Sequence, residues 1–186
     1  MRNTVEEAAR LLTACFRAGG KLLLCGNGGS AADCAHIAGE LCKGFLLARK
    51  LPQPLQEVIG EPFAEHLQQG LPAIDLTANT AVMTAIINDI DGQDVFAQQV
   101  LAYGRPGDVL MGLSTSGNAE NVRRALLVAS ALHLHTIAMT GRGGGKLAEL
   151  AELLLDVDDK PTHLVQEAQI RLYHQLCALV EEAMFG

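Results

Sequence analysis

A glycine-rich segment followed by regularly spaced polar residues is the stretch of this sequence best suited to chemistry. Residues 26–40 read G-N-G-G-S-A-A-D-C-A-H-I-A-G-E and come directly after a short apolar run at 21–25. Glycines let the backbone approach an anion, and a helix N-terminus offers unpaired N–H groups and the positive end of a dipole. The segment therefore predicts a buried strand, a phosphate-binding loop and then a helix.

Three side chains of that predicted helix are placed to act together. Asp33, His36 and Glu40 stand at i, i+3 and i+7, which puts them on one helical face. Carboxylates and an imidazole on one face are suited to proton transfer or to metal binding. The spacing of His36 and Glu40 is also typical of a solvated helical pair, so an ordinary surface remains the alternative interpretation.

A second polar loop follows another predicted strand. The predicted buried strand at 108–113, D-V-L-M-G-L, runs into Ser114-Thr115-Ser116-Gly117-Asn118, and a helical pattern then continues to about residue 132. Such a turn can simply cap a helix. In a parallel sheet, however, ligands bind beyond the carboxyl ends of the strands, and both polar loops fall at that edge. We therefore expect the loop at 114–118 to hold the phosphate of a ligand.

Predicted strands alternate with predicted helices along the whole chain, which indicates an α/β protein. The fold class that follows is a three-layer sandwich, with a mostly parallel five-stranded sheet and helices on both faces. We predict one domain over residues 1–186, with a proline-rich excursion at about 46–72 that carries a short helix at 61–69. The other predicted elements are strands at 21–25, 73–76, 108–113, 135–140 and 153–157, and helices at 3–18, 79–89, 93–103 and 161–184.

Composition limits the possible partners. The formal net charge is −7, which argues against binding to nucleic acid or to an anionic membrane surface. No apolar run is long enough to span a bilayer, and no signal-peptide core follows the start. The five cysteines form no C-x-x-C pair, and Cys15, Cys25 and Cys177 lie in apolar runs, which predicts buried, reduced thiols in a cytoplasmic protein.

A dinucleotide-binding function is a weaker interpretation of the glycine loop. Gly26, Gly28 and Ala31 match G-x-G-x-x-A, but the acidic residue expected about 20 positions later to bind a ribose is missing. The proline-rich excursion occupies that place. The sequence therefore disfavours a nicotinamide cofactor.

Four separated motifs carry a resemblance to a known family. They are G-N-G-G-S-A-A-D-x-x-H-x-A-x-E at 26–40, N-D at 88–89, S-T-S-G-N at 114–118, and a glutamine and a histidine at Gln166 and His174. On these motifs the chain resembles the phosphoheptose isomerases, which belong to the sugar isomerase (SIS) class with a flavodoxin-like fold. The resemblance implies conversion of sedoheptulose 7-phosphate to D-glycero-D-manno-heptose 7-phosphate. It also implies one zinc per subunit and a homotetramer with active sites at subunit interfaces.

The resemblance assigns roles residue by residue. It implies that zinc is held by His36, Glu40, Gln166 and His174, and that Asp33 is important for catalysis. An aldose–ketose isomerase moves a proton between adjacent carbons through an enediol, and we expect Glu40 to be the base and His174 its acid–base partner. The residues expected to bind substrate are Asn27, Gly28, Gly29, Ser30, Glu40, Asn88, Asp89, Ser114, Thr115, Ser116 and Gln166.

The chain also departs from the family pattern. Ala119 replaces a serine that helps bind phosphate, His163 replaces an aspartate, and Gly44 replaces an arginine, with Lys43 beside it. The extra N-terminal helix is absent and the excursion is longer. These differences leave open another sugar phosphate as the substrate.

A non-catalytic adaptor is the alternative from a different functional class. Some SIS relatives contact the bacterial replication initiator as tetramers and lack the glutamate of the second helix, which is present here as Glu40. The apolar tail Met184-Phe185 keeps the adaptor interpretation open. The second helix and the last helix are apolar on more than one side, which separately predicts an oligomer. In the last helix the apolar residues are Ile170, Leu172, Tyr173, Leu176 and Leu179.

Overall fold

The computed structural model describes residues 2–186 of the chain, with side chains from Thr4 onwards. Its centre is one five-stranded sheet in which every neighbouring pair of strands is parallel, in the order β2-β1-β3-β4-β5. This confirms the predicted sheet and the flavodoxin-like arrangement. The strands are β1 (Leu22–Cys25), β2 (Ala73–Asp75), β3 (Val109–Ser114), β4 (His135–Thr140) and β5 (Leu153–Asp156).

Helices cover both faces of the sheet, as the three-layer prediction requires. They are α1 (Arg2–Arg17), α2 (Gly29–Cys42), α3 (Gln53–Ile59), α4 (Phe63–His66), α5 (Thr80–Asp89), α6 (Ala97–Tyr103), α7 (Glu120–Ala131) and α8 (Thr162–Phe185). Short 3-10 turns occur at Gly92–Asp94 and Gly145–Glu149. Among the residues described, no helix has the length and apolar character needed to cross a membrane.

The central strands bury both of their faces. Leu22 and Leu24 belong to the core formed with α1, α2 and α8, whereas Leu23 and Cys25 belong to the core formed with α5, α6 and α7. Successive side chains of a strand point to opposite faces, so an unbroken apolar run is what a doubly covered sheet needs. The order of the strands reverses between β1 and β3. Ligands of such folds bind at this switch point, where both predicted loops emerge.

The excursion differs from its prediction. A single helix at 61–69 is wrong: the chain forms α3 at Gln53–Ile59, ends it at Gly60 with φ +78°, and then forms only one turn, α4. Pro54 occupies the first turn of α3, where a missing N–H costs no hydrogen bond. α3 has no buried residue, and Val58 and Phe63 are 84% and 70% exposed. Little of the excursion therefore contributes to the core.

A buried ion pair attaches the start of the excursion to the domain. Arg49 and Glu181 are each 1% exposed, and Arg49 Nε donates to the Glu181 carboxylate over 2.7 Å. The same carboxylate accepts the N–H groups of Phe45 at 2.8 Å and Leu46 at 2.6 Å. Glu181 thereby fixes the backbone that leads out of α2.

The guanidinium of Arg49 also closes the end of α2. It donates to the carbonyl oxygen of Leu41 at 2.6 Å and, over 3.4 Å, to that of Glu40. Carbonyls in the last turn of a helix have no partner within the helix, so the arginine supplies one. The ends of α2 and α8 and the first residues of the excursion are joined at this point.

Most apolar residues of α8 are buried by contacts within the same chain. Leu172, Tyr173 and Leu176 are buried at 8%, 0% and 1% exposure, and Leu179 packs against the same core. Ile170 and Leu164 are each 38% exposed. The apolar pattern of α8 reflects packing against α1, α2 and the sheet, so it is no argument for an oligomer.

The cysteines are arranged as the composition predicts. All five are free thiols, and Cys15, Cys25 and Cys177 are buried together with Cys34. Cys42 is exposed.

We predict that Glu181→Gln lowers the free energy of unfolding by about 3 kcal/mol at neutral pH, because it leaves Arg49 buried without its counter-charge. Burial opposes ionisation of Glu181, but hydrogen bonds from Phe45, Leu46 and Arg49 outweigh it and hold the pKa below its ordinary value. The stabilisation is therefore complete above the ordinary pKa of glutamate and is lost as the pH falls through the lowered one. Urea unfolding at decreasing pH measures this.

The matched control is Glu182→Gln, which changes the adjacent, exposed glutamate. It should unfold like the wild type at every pH. Equal stability of Glu181→Gln and the wild type at neutral pH would contradict the role of the ion pair.

Candidate functional site

The glycine loop joins β1 to α2 at the switch point. Gly28 has φ +57°, a conformation that side chains rarely adopt, and it precedes α2 without any side-chain cap on the helix. At Gly26 an added Cβ would lie 2.9 Å from the backbone oxygen of Ser30, so only glycine fits there. The N-terminus of α2 is left open toward the carboxyl edge of the sheet. That is the arrangement expected of an anion-binding loop.

Gln166 lies at this loop. Its side-chain amide occupies the space where a side chain at Gly29 would stand, so the second turn of α8 packs directly on the N-terminus of α2. The predicted substrate residues Gly29 and Gln166 therefore come together. Gln166 is at the phosphate end of the site, about two helical turns from His36.

The second loop is rigidly built. Ser114 is buried at the end of β3, and its carbonyl oxygen accepts the N–H of Gly117 over 3.0 Å. Gly117 has φ +66°, and any side chain there would strike the carbonyl of Gly144. No side chain caps α7, whose N-cap residue is Ala119. The missing hydroxyl noted in the sequence thus leaves the N-cap of α7 without a side-chain acceptor, and Asn121 Oδ1 accepts the N–H of Val122 over 3.0 Å.

A pair of asparagines ties the two loops together. The side chains of Asn27 and Asn121 exchange two hydrogen bonds, each 2.9 Å long. Asn27 is a predicted substrate residue, but Asn121 was not identified from the sequence. It follows the loop at 114–118 within the first turn of α7, and no spacing rule pairs it with a loop almost a hundred residues earlier.

The first turn of α7 also carries paired charges. Arg123 Nε donates to Glu120 over 2.7 Å and Arg124 Nε does so over 3.2 Å, and these hydrogen bonds lower the pKa of Glu120 to about 2. Both arginines therefore pair with the carboxylate of Glu120 at the start of α7, and Arg124 also pairs with Asp91 and Asp94.

The predicted face of α2 meets α8 in a row of polar contacts, which we call the polar seam: Asp33, His36, Glu40, Tyr173 and His174. His36 Nε2 lies 3.3 Å from Glu40 Oε1 and 3.5 Å from His174 Nε2. The structure thus brings together the predicted base, its acid–base partner and a predicted metal ligand.

These atoms fit a zinc ion in part. With zinc–ligand bonds of about 2.0–2.1 Å, the ligands at the corners of a tetrahedron stand roughly 3.3 Å apart, close to the two distances measured from His36 Nε2. Among the residues that the structure describes, however, no group of three or more His, Cys, Asp and Glu side chains surrounds a metal-sized position. Gln166, the fourth predicted ligand, packs on Gly29. The polar seam therefore offers ligand atoms of the kind that zinc prefers, but within the described residues they do not surround one common position.

Asp33 is the buried end of the seam. It is 8% exposed, and burial raises the pKa of its carboxyl. Its Oδ1 lies 3.4 Å from the hydroxyl of Tyr173, which in turn lies 2.8 Å from His36 Nδ1. Asp33 Oδ2 and the side-chain amide of the fully buried Gln169 have no hydrogen-bond partner within the described part of the chain. Tyr173 appeared in the sequence only as part of an apolar pattern.

Lys43 supplies a cation at the open end of the seam. Its ammonium lies 2.9 Å from Glu40 Oε2, and this hydrogen bond is the main cause that lowers the pKa of Glu40. At Gly44 an added Cβ would lie 2.5 Å from the carbonyl oxygen of Leu47. The backbone therefore has no room for an arginine at position 44, and Lys43 is the neighbouring basic residue.

Asn88 and Asp89 are not brought to this cluster. Both are exposed at the end of α5, where Asn88 Nδ2 donates to Asp89 Oδ1 over 2.7 Å. In the described residues, no hydrogen bond connects either of them to the two loops or to the polar seam. Their role in binding substrate stays a prediction.

Comparison of the chain with known proteins identifies its family. A family model described as "SIS domain" matches residues 1–61 and 57–141. A phosphoheptose isomerase of Desulfovibrio desulfuricans is 44% identical over 181 residues, covering 97% of this chain and 77% of the relative. One of Synechocystis is 43% identical over 182 residues, covering 98% and 84%.

Solved structures agree with the sequence relatives. The phosphoheptose isomerase of Neisseria gonorrhoeae superposes with a TM-score of 0.81 at 38% identity, covering 97% of this chain and 86% of that one. That of Francisella tularensis gives 0.79 at 31% identity, covering 97% and 85%. The chain belongs to the phosphoheptose isomerase family of SIS-domain proteins.

Proposed function

We propose that the protein is an aldose–ketose isomerase that interconverts sedoheptulose 7-phosphate and D-glycero-D-manno-heptose 7-phosphate. The observation that carries the proposal is the convergence of Glu40 and His174 on His36 at one end of the polar seam, with the glycine loop at its other end. The family's named activity supports it.

The separation of the two ends fits a long substrate. His36 lies two turns along α2 from Gly29, a rise of about 10 Å. In a heptose 7-phosphate the reacting carbons C1 and C2 are at the end opposite the phosphate. A substrate with its phosphate at the 26–30 and 114–118 loops therefore extends along the seam and brings C1 and C2 towards Glu40.

Glu40 is in the ionised form that a base needs. A glutamate carboxyl is ionised at neutral pH, and the hydrogen bond from Lys43 lowers the pKa of Glu40 further. In the proposed reaction Glu40 takes the proton from the carbon that bears the hydroxyl, producing an enediol, and returns it to the adjacent carbon. His174 moves a proton between the two oxygens, while N–H groups of the loops hold the phosphate.

Zinc is part of the proposal. When bound by His36, Glu40, Gln166 and His174 it supplies Lewis-acid polarisation of the carbonyl. The two short distances from His36 Nε2 support this, and Gln166 would have to leave its position on Gly29 to join. A carboxylate bound to a metal is a weaker base, so ligation and proton transfer compete for Glu40.

We also propose a homotetramer with active sites between subunits, in the cytoplasm. Asn88 and Asp89 are exposed and separate from the loops of their own chain, while Ile87 and Ile90 beside them are 51% and 57% exposed. A neighbouring subunit that covers these isoleucines would also receive the two polar residues. The free thiols suit a reducing compartment.

Two alternatives compete with this proposal. A different sugar phosphate is compatible with Ala119 and with Lys43 in place of the family arginine. A non-catalytic adaptor requires no base, so the converged Glu40 and His174 argue against it. The assay with a seven-carbon ketose phosphate separates both alternatives from the isomerase.

We predict that Glu40→Gln loses about 10²–10⁴-fold in turnover of sedoheptulose 7-phosphate, the usual contribution of a positioned acid–base group. Binding of substrate should persist because both loops are unchanged. The matched control, Glu7→Gln, alters an exposed glutamate of α1 and should keep full activity. Turnover of Glu40→Gln close to that of the wild type would remove Glu40 as the base. A wild type inactive on seven-carbon ketose phosphates would favour the alternatives.

We predict that the wild type, exposed to zinc and desalted, retains up to one zinc per subunit that chelators remove, and that His174→Ala loses both zinc and turnover. Elemental analysis measures the metal. His133→Ala, which changes a histidine outside the seam, is the control. Wild-type protein with metal only at background level would refute the zinc assignment.

We predict a tetramer at micromolar concentration in light scattering, and dissociation of that assembly in the double variant Ile87→Asp, Ile90→Asp. Charges placed in an apolar interface are costly to bury. Circular dichroism checks that the variant is folded. A monomeric wild type would contradict the proposed assembly.

A further inference from the structure

A buried tyrosine connects two groups of the polar seam. Tyr173 is 0% exposed and lies in the apolar core formed by α1, α2, α8 and the sheet. A tyrosine hydroxyl in such surroundings needs a hydrogen-bond partner. This one has two, His36 Nδ1 at 2.8 Å and Asp33 Oδ1 at 3.4 Å.

Burial alone does not hold the ring of His36. Its side chain is 43% exposed, and its ring touches Tyr173 and His174 edge-on, with centroid distances of 5.3 and 5.0 Å. Tyr173 is the partner of Nδ1, whereas Nε2 faces Glu40 and His174. The hydrogen bond to one nitrogen of an imidazole decides what the other nitrogen presents.

The Tyr173 hydroxyl has one proton, so it can donate only one of its two hydrogen bonds and accepts the other. It donates this proton to Asp33 Oδ1 over 3.4 Å. The tyrosine oxygen then accepts from His36 Nδ1–H. This order leaves the lone pair of His36 on Nε2, directed to the open part of the seam.

We propose that Tyr173 is a positioning residue that, supported by Asp33, holds His36 with Nδ1 inward and Nε2 presented to the Glu40 and His174 end of the seam. The inference rests on the proposed function, because that function is what gives His36 Nε2 a role. It also gives a role to Asp33, which is too buried to touch a substrate and acts through Tyr173.

The chain offers a clean test because it has two tyrosines. Tyr173→Phe removes only the hydroxyl and keeps the packed ring. Tyr103→Phe makes the same change at an exposed position at the end of α6 and is the matched control.

The first measurement is the affinity for zinc alone, by competition with a chromophoric chelator. Loss of a group that orients a metal-binding histidine typically weakens binding about 10–100-fold, and we expect this for Tyr173→Phe and no change for Tyr103→Phe. If Asp33 acts through Tyr173, adding Asp33→Asn to Tyr173→Phe should weaken binding no further. Equal zinc affinity of Tyr173→Phe and the wild type would overturn the proposal. A strictly additive double variant would overturn the role given to Asp33.

The second measurement needs no metal. Long-range proton–nitrogen NMR of the metal-free protein reports the two ring nitrogens of His36, whose signals are identified by their loss in His36→Gln. Tyr173→Phe should shift the Nδ1 signal and Tyr103→Phe should not; unchanged signals in Tyr173→Phe would refute the contact.

The two measurements separate this inference from the proposed function. If the wild type takes up no zinc but the Nδ1 signal responds, the positioning role stands and the zinc proposal falls. If zinc binding responds but the wild type isomerises no sugar phosphate, the positioning role again stands and the proposed activity falls.

Discussion

The packing of α2 against α8 is the constraint on which the site depends. Contacts occur in the same order along both helices, from Gln166 on Gly29, through Tyr173 on His36, to Glu181 beside the end of α2. The two helices therefore run in the same direction from the phosphate loop to the excursion. Each functional side chain of α8 meets its partner on α2 only in this register, since a shift of one residue rotates a helix by about 100°.

This helix pair combines apolar packing with an unusually polar seam. Buried polar groups without partners cost about 1–3 kcal/mol each, and among the residues described Asp33 Oδ2 and the amide of Gln169 are such groups. A core selected only for stability would replace them by apolar side chains. Their presence on α2 and α8, the two helices that carry Glu40 and His174, is what a site with oriented ligands requires. The buried Arg49–Glu181 pair secures the far end of the same helices.

The departures from the family pattern have local structural consequences. The excursion begins with a backbone that leaves no space for a side chain at Gly44, so the cation beside Glu40 comes from Lys43. Ala119 leaves α7 without a side-chain cap, and Asn121 instead joins the start of that helix to the glycine loop. Both differences lie near the expected substrate and none disturbs the sheet, which is why the fold of the relatives is retained.

The sequence by itself determined the sheet, its two ligand loops, and the shared face of Asp33, His36 and Glu40. These features are local, because strand periodicity, glycine conformation and helical spacing each depend on a few neighbouring residues. Only the tertiary structure decided that Gln166 lies on Gly29, that Asn88 and Asp89 stand away from the loops, and that Tyr173 contacts His36 as well as the core. It likewise replaced the predicted helix at 61–69 by α3 and α4, and paired Arg49 with Glu181. Those outcomes depend on which faces of helices far apart in the sequence pack against each other, and the packing of the whole core determines this.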